Sequence, residues 1–334
     1  MENLAVMRTT LLDPPSHRGA SSVPAPMGIG FPYMPAMPAE VYGQDLIDFV
    51  EITPEALCRE RHEDGRVRFD LVPEQLARAR ETCAGLPMVV HGVQLSIGSA
   101  HGWNDAYLDM LEQLQHVWPF VWHSEHLSFQ TIPGPHGEVL ETGVPLPMPY
   151  TEEAASLIVK RCTAIARRFG VPFLLENPAH YLEAHGKMAD TRERDESPLF
   201  DEVDFMNRIT MGGACRQLLD LHNLHCNAVN HGFDAFKALD RLALERVTEI
   251  HLAGGSWRDG FLMDAHDSVV PQPVWDLLAY VLPRAPNVAG VVFEVLDRYA
   301  PKVGVDAMLR EIAHARAVWD ACRHRRPTPV RAFA

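Results

Sequence analysis

An α/β barrel is the fold class the sequence predicts, and three observations carry it. Short apolar runs ending in a polar or charged residue recur eight times between residues 28 and 295, separated by segments with helical spacing. The runs show little polar alternation, as parallel strands buried on both faces should. The first of them, Gly28 to Phe31 in GIGFPYMP, is not followed by the glycine-rich turn and helix that open a doubly wound nucleotide-binding sheet. A barrel of this kind needs ~250 residues plus insertions, and the chain has 334. The expectation is a single-domain TIM (β/α)8 barrel over residues 28–322.

Taken in order, residues 1–27 mix Pro, Ser and Gly without periodicity (DPPSHRGASSVPAP) and read as a flexible leader. After GIGF come DFVEIT as second strand, PMVVHGVQLSIGS with His91 as third, and FVWHSEHLSF with His123, Glu125 and His126 as fourth. The fifth, PFLLENPAHYL, ends in Glu176 and Asn177, where Pro178 stops the ladder for want of an amide hydrogen. RQLLDLHN is expected as the sixth strand, RVTEIHLAG as the seventh and AGVVFEV, ending on Glu294, as the eighth. Helices are expected over 73–83, 104–116, 151–169, 201–210, 235–243 and 273–281, with a last one over 301–322. Thr151, Glu152 and Glu153 suit a helix start and Gly170 a helix end. The polar stretch Ala184 to Leu199 reads as an exposed loop of the kind that forms lids. Residues 323–334 read as a flexible basic tail.

Composition narrows the function. At 47% hydrophobic and 22% charged, the chain is a globular one. Its net charge of −14 argues against a nonspecific grip on nucleic acid. Neither a spanning helix, which needs ~18 uninterrupted apolar residues, nor a signal peptide stands out, so a cytoplasmic protein without membrane contact is expected. The six cysteines form no CxxC pair, which removes zinc ribbons and disulfide frameworks. The anomaly is histidine, with 17 residues concentrated at strand ends.

In such a barrel, chemistry sits at the C-terminal ends of the strands. His91, His126, Glu176, Asp220, His251 and Glu294 fall there, with Asn223, Asp264 and His266 in adjoining loops. One divalent ion takes about four to six ligands, so this many nitrogen and oxygen ligands around one opening imply two or three ions sharing carboxylates. Without metal the four acids would repel one another. The absence of thiolates suits hydrolytic zinc or redox-active iron. Alone, His91 would read as a core histidine, Glu176 or Glu294 as an arginine partner, and Asp264 with His266 as a turn cap; the conjunction argues for a cage. His222, His225 and His231 lie nearby in LHNLHCNAVNHGFD and are candidate acids or bases, since an imidazole pKa of ~6.5 suits proton transfer.

The ordered blocks HGVQLSIGS, SEHLSF, LPMPYTEEA, LLENPAHYL, LDLHN with AVNHGFD, EIHLAGG, DAHD and VVFEV resemble the DUF692 family of multinuclear non-heme iron-dependent oxidative enzymes, over about residues 28–296. The ligand skeleton is also similar to that of endonuclease IV and xylose isomerase-like barrels. The family resemblance implies two or three irons (Fe2+/Fe3+), O2 as co-substrate, and modification of a ribosomally made precursor peptide, often at cysteine, in natural-product biosynthesis. Partner proteins that present the peptide are common in the family. It implies His91, His126, Glu176, Asp220, Asn223, His251, Asp264, His266 and Glu294 as iron ligands. The chain departs from the family at Glu125, where an aspartate is usual. Thr53 and Ala56 replace a histidine and an asparagine, and His222 and His225 stand for an asparagine and an aromatic residue. A zinc-dependent hydrolase or nuclease using the same cage is the alternative. A sugar isomerase would need a catalytic lysine or histidine facing its metals, and no lysine falls at a strand end. The loop from Ser256 to Phe261, with Trp257, is expected to close over a peptide.

Overall fold

Eight short runs of apolar residues pair side by side, all parallel, and close on themselves. In chain order the strands are β1 (Gly28–Pro32), β2 (Phe49–Ile52), β3 (Cys58–Glu63), β4 (Arg66–Leu71), β5 (Met88–Gly92), β6 (His123–His126), β7 (Ser128–Pro133), β8 (Val139–Pro147), β9 (Phe173–Glu176), β10 (Cys215–Asp220), β11 (Val247–Leu252), β12 (Ser256–Arg258), β13 (Phe261–Met263) and β14 (Gly290–Phe293). The barrel runs β1, β2, β5, β6, β9, β10, β11, β14 and back to β1, which is the TIM barrel expected. The helices are α1 (Ala39–Tyr42), α2 (Pro73–Thr82), α3 (Asp105–Val117), α4 (Glu152–Phe169), α5 (Glu202–Gly212), α6 (Leu221–His231), α7 (Ala235–Arg241), α8 (Gln272–Val281), α9 (Ala300–Val303) and α10 (Val305–Arg325). This computed structural model describes residues 23–43, 45–63, 66–83, 85–136, 138–181, 200–212 and 215–325. Most of the expected leader, all of the expected lid and most of the basic tail lie outside the described residues.

Alternation along each strand builds two separate cores. Outward residues such as Val50, Val90, Phe173, Leu219, Ile250 and Val291 pack against helix residues including Leu111, Ile158 and Leu278. Inward ones, Phe49, Val89, Trp122, Leu174, Leu218 and Val292 together with Ala289, form a buried apolar plug inside the barrel. Glycines on two neighbouring strands make room for it. A Cβ on Gly30 would lie 2.4 Å from the Phe49 ring, and one on Gly290 would lie 2.6 Å from it. Trp122 meets that ring edge-on, with centroids 5.6 Å apart. Two residues further along the same strands, the inward positions become Glu51, His91, Ser124, Glu176, Asp220 and Glu294. The plug is therefore the floor under a polar layer.

The sequence reading needs correction at three places. The sixth strand does not run to Asn223: it stops at Asp220, and α6 begins at the next residue. Asp220 Oδ1 accepts from the Asn223 amide at 2.6 Å and caps the helix, while Gly232, at φ 72°, ends it. Its His, Asn and Cys residues are indifferent helix formers, which hid it. Next, three antiparallel hairpins (β3–β4, β7–β8 and β12–β13) follow the C-terminal ends of β2, β6 and β11, where only loops were expected. Last, the final helix is two, α9 and α10, broken at Gly304 with φ 84°.

Candidate metal centre

On every barrel strand but β1 an inward position at or near the C-terminal end carries a ligand-type or hydroxyl side chain, so the site is a property of register. At the deepest level His91, Glu176, Asp220 and His251 are buried; His126, Asp264, His266 and Glu294 are half-buried at the lip. His91 Nε2 and His126 Nε2 each lie 3.3 Å from Glu176 Oε2. His251 Nδ1 lies 2.8 Å from Glu294 Oε2, and His266 Nε2 lies 2.8 Å from Asp264 Oδ1. Four overlapping groups among the candidate ligands, His91–His126–Glu176, His91–His251–Glu294, Glu176–Asp220–His251 and Asp220–His266–Glu294, each bring one ligand atom per residue within 4.8 Å of the others. Glu176 and Asp220 are shared between groups.

Whether metal ions fit is decided by the atoms left over. Asp220 Oδ2 and Asn223 Oδ1 are buried with no hydrogen-bond partner, while Glu176 Oε2, His251 Nδ1 and His266 Nε2, equally buried, face only other ligand-type side chains of the cluster. A buried polar atom without a partner costs about 1–3 kcal/mol, so these two, beside so many ionisable groups crowded at one strand-end mouth, call for a ligand common to them. Cations supply one, because the atoms are oxygens and nitrogens at bridging separations. The other ends of these side chains are fixed. Ser124 Oγ takes His91 Nδ1 at 3.0 Å, the Gly92 carbonyl faces His126 Nδ1 at 3.2 Å, and Asn223 Nδ2 donates to Glu176 Oε1 at 3.0 Å. Asn177 clamps the backbone N–H and C=O of Asp220, both at 3.0 Å. His266 sits at φ 49°, a strained region for a residue with a Cβ, as is common where a site dictates the backbone.

Electrostatics agree with a cage made for cations. Burial opposes charge on His91, but Glu176 and Glu51 outweigh it and raise the imidazole to about 10. His266 also rises to about 10, burial being overcome by Asp264 and Glu294. His251 stands well above its ordinary range because Glu294 and Glu51 prevail over burial. Conversely, burial notwithstanding, His126 and His91 hold Glu176 below the usual carboxylate range, and His251 and His266 do the same for Glu294. Asp220 goes the other way, pushed up by burial and by Asp264, Glu176 and Glu294. Protons occupy positions that ions of higher charge would take.

The remaining sequence candidates are distributed unevenly. Asp264 borders these groups rather than joining them, and Asn223 stands beside Glu176. Asn223 donates to Glu176, and Asp264 Oδ1 is held by His222 Nδ1 at 2.9 Å. His222 is wholly buried behind Asp264, with Cys226 Sγ 3.7 Å from its Nε2. His225 is half-buried, and burial and His222 lower its affinity for protons. His231 is not brought to the cage: it ends α6, bonds to the His180 carbonyl at 2.9 Å and stacks on the His180 ring at 4.3 Å. Glu125 turns outward to His123 Nε2 at 2.8 Å, as its place between inward Ser124 and His126 dictates. Two residues escaped the sequence reading. Glu51 and Glu249 are buried inside the barrel, and Glu51 Oε2 lies 3.0 Å from His251 Nε2. Period-two counting back from Thr53 and His251 would have found both.

Fold and mouth together define a TIM-barrel protein with a site able to hold metal ions. Residues 27–320 match the family described as RiPP precursor modification enzyme MbnB/TglH/ChrH, and the chain belongs to that family. A UPF0276 protein of Caulobacter vibrioides (strain NA1000 / CB15N) is 36% identical over 241 residues, covering 71% of this chain and 78% of its own. A UPF0276 protein of Bordetella parapertussis is 33% identical over 306 residues, covering 90% and 94%. Among solved structures, the IOLI protein with a bound zinc atom superposes with a TM-score of 0.54 at 12% identity, covering 88% of this chain and 98% of that one. That likeness is one of fold. Among the described residues no helix is long and apolar enough to cross a membrane.

Proposed function

We propose that this chain is an iron- and O2-dependent oxidase that modifies a ribosomally made precursor peptide. The observation that carries the reading is the convergence of buried ligand atoms from His91, Glu176, Asp220, His251 and Glu294 on one mouth, with Asp220 Oδ2 and Asn223 Oδ1 left without a partner there, in a chain whose family acts on such precursors. His91, His126 and Glu176 would hold one ion, Glu176, Asp220, His251 and Glu294 a second, and Asp220, His266 and Glu294, with Asn223 and Asp264 beside them, a third. Iron would supply a redox-active Lewis acid with positions open to substrate and O2. The chain's own residues bind, orient and exclude water. The apolar floor keeps solvent from entering below, and the half-buried lip leaves a way in from above. Trp257, 63% exposed, and Phe261 on the β12–β13 hairpin would lie along the peptide. His222 steadies Asp264, and His225, which burial and His222 keep neutral, would be the candidate acid or base beside the cage.

Metal content and mass spectrometry test this. Protein purified from iron-replete cells should carry two or three irons, consume O2, and change the mass of a co-expressed candidate precursor peptide. Glu176→Ala and His251→Ala should fold and lose metal. Zinc in place of iron, together with phosphodiester cleavage, would replace this reading with a hydrolytic one; full metal occupancy in both variants would remove the cage assignment.

A further inference from the structure

The imidazoles of the cage differ in what lies behind them. Ser124 Oγ, which itself donates to the Val90 carbonyl at 3.1 Å, backs His91, and the Gly92 carbonyl backs His126. Both acceptors are neutral. His266 has both ring nitrogens turned toward acids of the cage, Asp264 at 2.8 Å and Glu294 at 3.9 Å. Only His251 is backed by a carboxylate from outside the nine candidate ligands: its Nε2 lies 3.0 Å from Glu51 Oε2, with Glu249 Oε1 behind at 3.9 Å. Glu249 Oε2 is in turn held by the Trp122 indole N–H at 2.8 Å. Both acids are buried, next to the apolar floor.

We infer that Glu51 is a positioning residue: it accepts the Nε2–H of His251, presents Nδ1 to the ion beside Glu294, and makes that ion the most electron-rich of the set. This rests on the metal-cage reading above. A ligating imidazole that donates its second N–H to a carboxylate is fixed in one tautomer and becomes a stronger base toward the metal. In the low-dielectric interior the extra negative charge acts with little screening. It therefore favours the more highly charged state of the nearest ion, while the ion between His91 and His126, backed by a hydroxyl and a peptide carbonyl, lacks that bias. The two outer ions then differ from the central one in redox behaviour although all see imidazole and carboxylate.

The same atoms allow a rival arrangement. Glu51, Glu249 and His251 each offer one ligand atom within 4.8 Å of the other two, and Glu249 Oε1 has no hydrogen-bond partner, so the trio could close on an additional ion. Glu51→Gln and Glu51→Met separate the two. Metal-free wild type and variants would be loaded anaerobically with Fe(II), then compared for iron per chain, affinity against a chelator, midpoint potentials, and melting temperature before loading. The expected result is unchanged iron stoichiometry, one ion weakened by about 10- to 100-fold, more in Met than in Gln because Gln can still accept the N–H, and an upward shift of one potential. The metal-free melting temperature should fall modestly, since one carboxylate that pairs with the His251 imidazole has been removed. Loss of one whole iron with the rest undisturbed would make Glu51 a ligand and overturn the inference. So would unchanged affinity and potentials with a lowered melting temperature, which would leave Glu51 a piece of the core. Wild-type protein that takes up no iron would fail the cage itself, a different result from either.

Discussion

Asn223 shows how much one side chain settles at this mouth. Its amide nitrogen is capped by Asp220, its Nδ2 steadies Glu176, and its Oδ1 is left partnerless among the cage atoms. Asn223→Ala would free a buried Glu176 oxygen, so a loss of about 1–3 kcal/mol in denaturant unfolding is expected, together with weaker metal binding by chelator competition. His231→Ala offers the contrast. It should leave metal content unchanged by elemental analysis, because its ring contacts are to His180 and not to the cage. Asp220→Asn distinguishes two duties of one residue. Asparagine caps a helix about as well as aspartate, so the melting temperature should stay within about 2 °C while the ion count falls.

At the level of elements, the strand ends were legible because a buried parallel strand has few reasons to finish on His, Asp or Glu. The eight barrel strands lie where those ends put them. Helix α6 was not legible: its start coincides with a ligand-type residue, and LHNLHCNAVNH carries neither a clear apolar stripe nor strong helix formers. Glu51 and Glu249 are less legible because they lie within their strands and not at the last residue: an inward face has depth. The hairpins were missed because their pairing is local to loops and exposes apolar residues such as Val139, Val144 and Trp257. One element can be tested directly. Gly290→Ala would push a methyl into the Phe49 ring, and overpacking of this kind costs about 1–3 kcal/mol; a denaturation midpoint unchanged from wild type would show that the floor is looser than drawn.

For the whole molecule, pH and metal are coupled through the same imidazoles. In the ion-free protein His91 and His266 are raised from 6.5 to about 10. A raised folded pKa contributes stability that is complete below the unfolded value and lost as pH climbs to the folded one. Calorimetry should therefore show the metal-free protein losing stability between pH 6.5 and about 10. Metal binding must displace those protons, so each ion's apparent affinity should rise about tenfold per pH unit from neutrality to about pH 9, readable as proton release in two buffers of different ionisation enthalpy. The apolar floor has a further effect on the order of events. Phe49, Trp122 and their neighbours fill the barrel below the cluster, so among the described residues the strand-end mouth is the way to it. If ions and a peptide bind as proposed above, both must use this mouth, and the deeper ions must enter before the peptide. A bound peptide would then act as a cork, and chelators should strip metal from the resting protein far faster than from the occupied one.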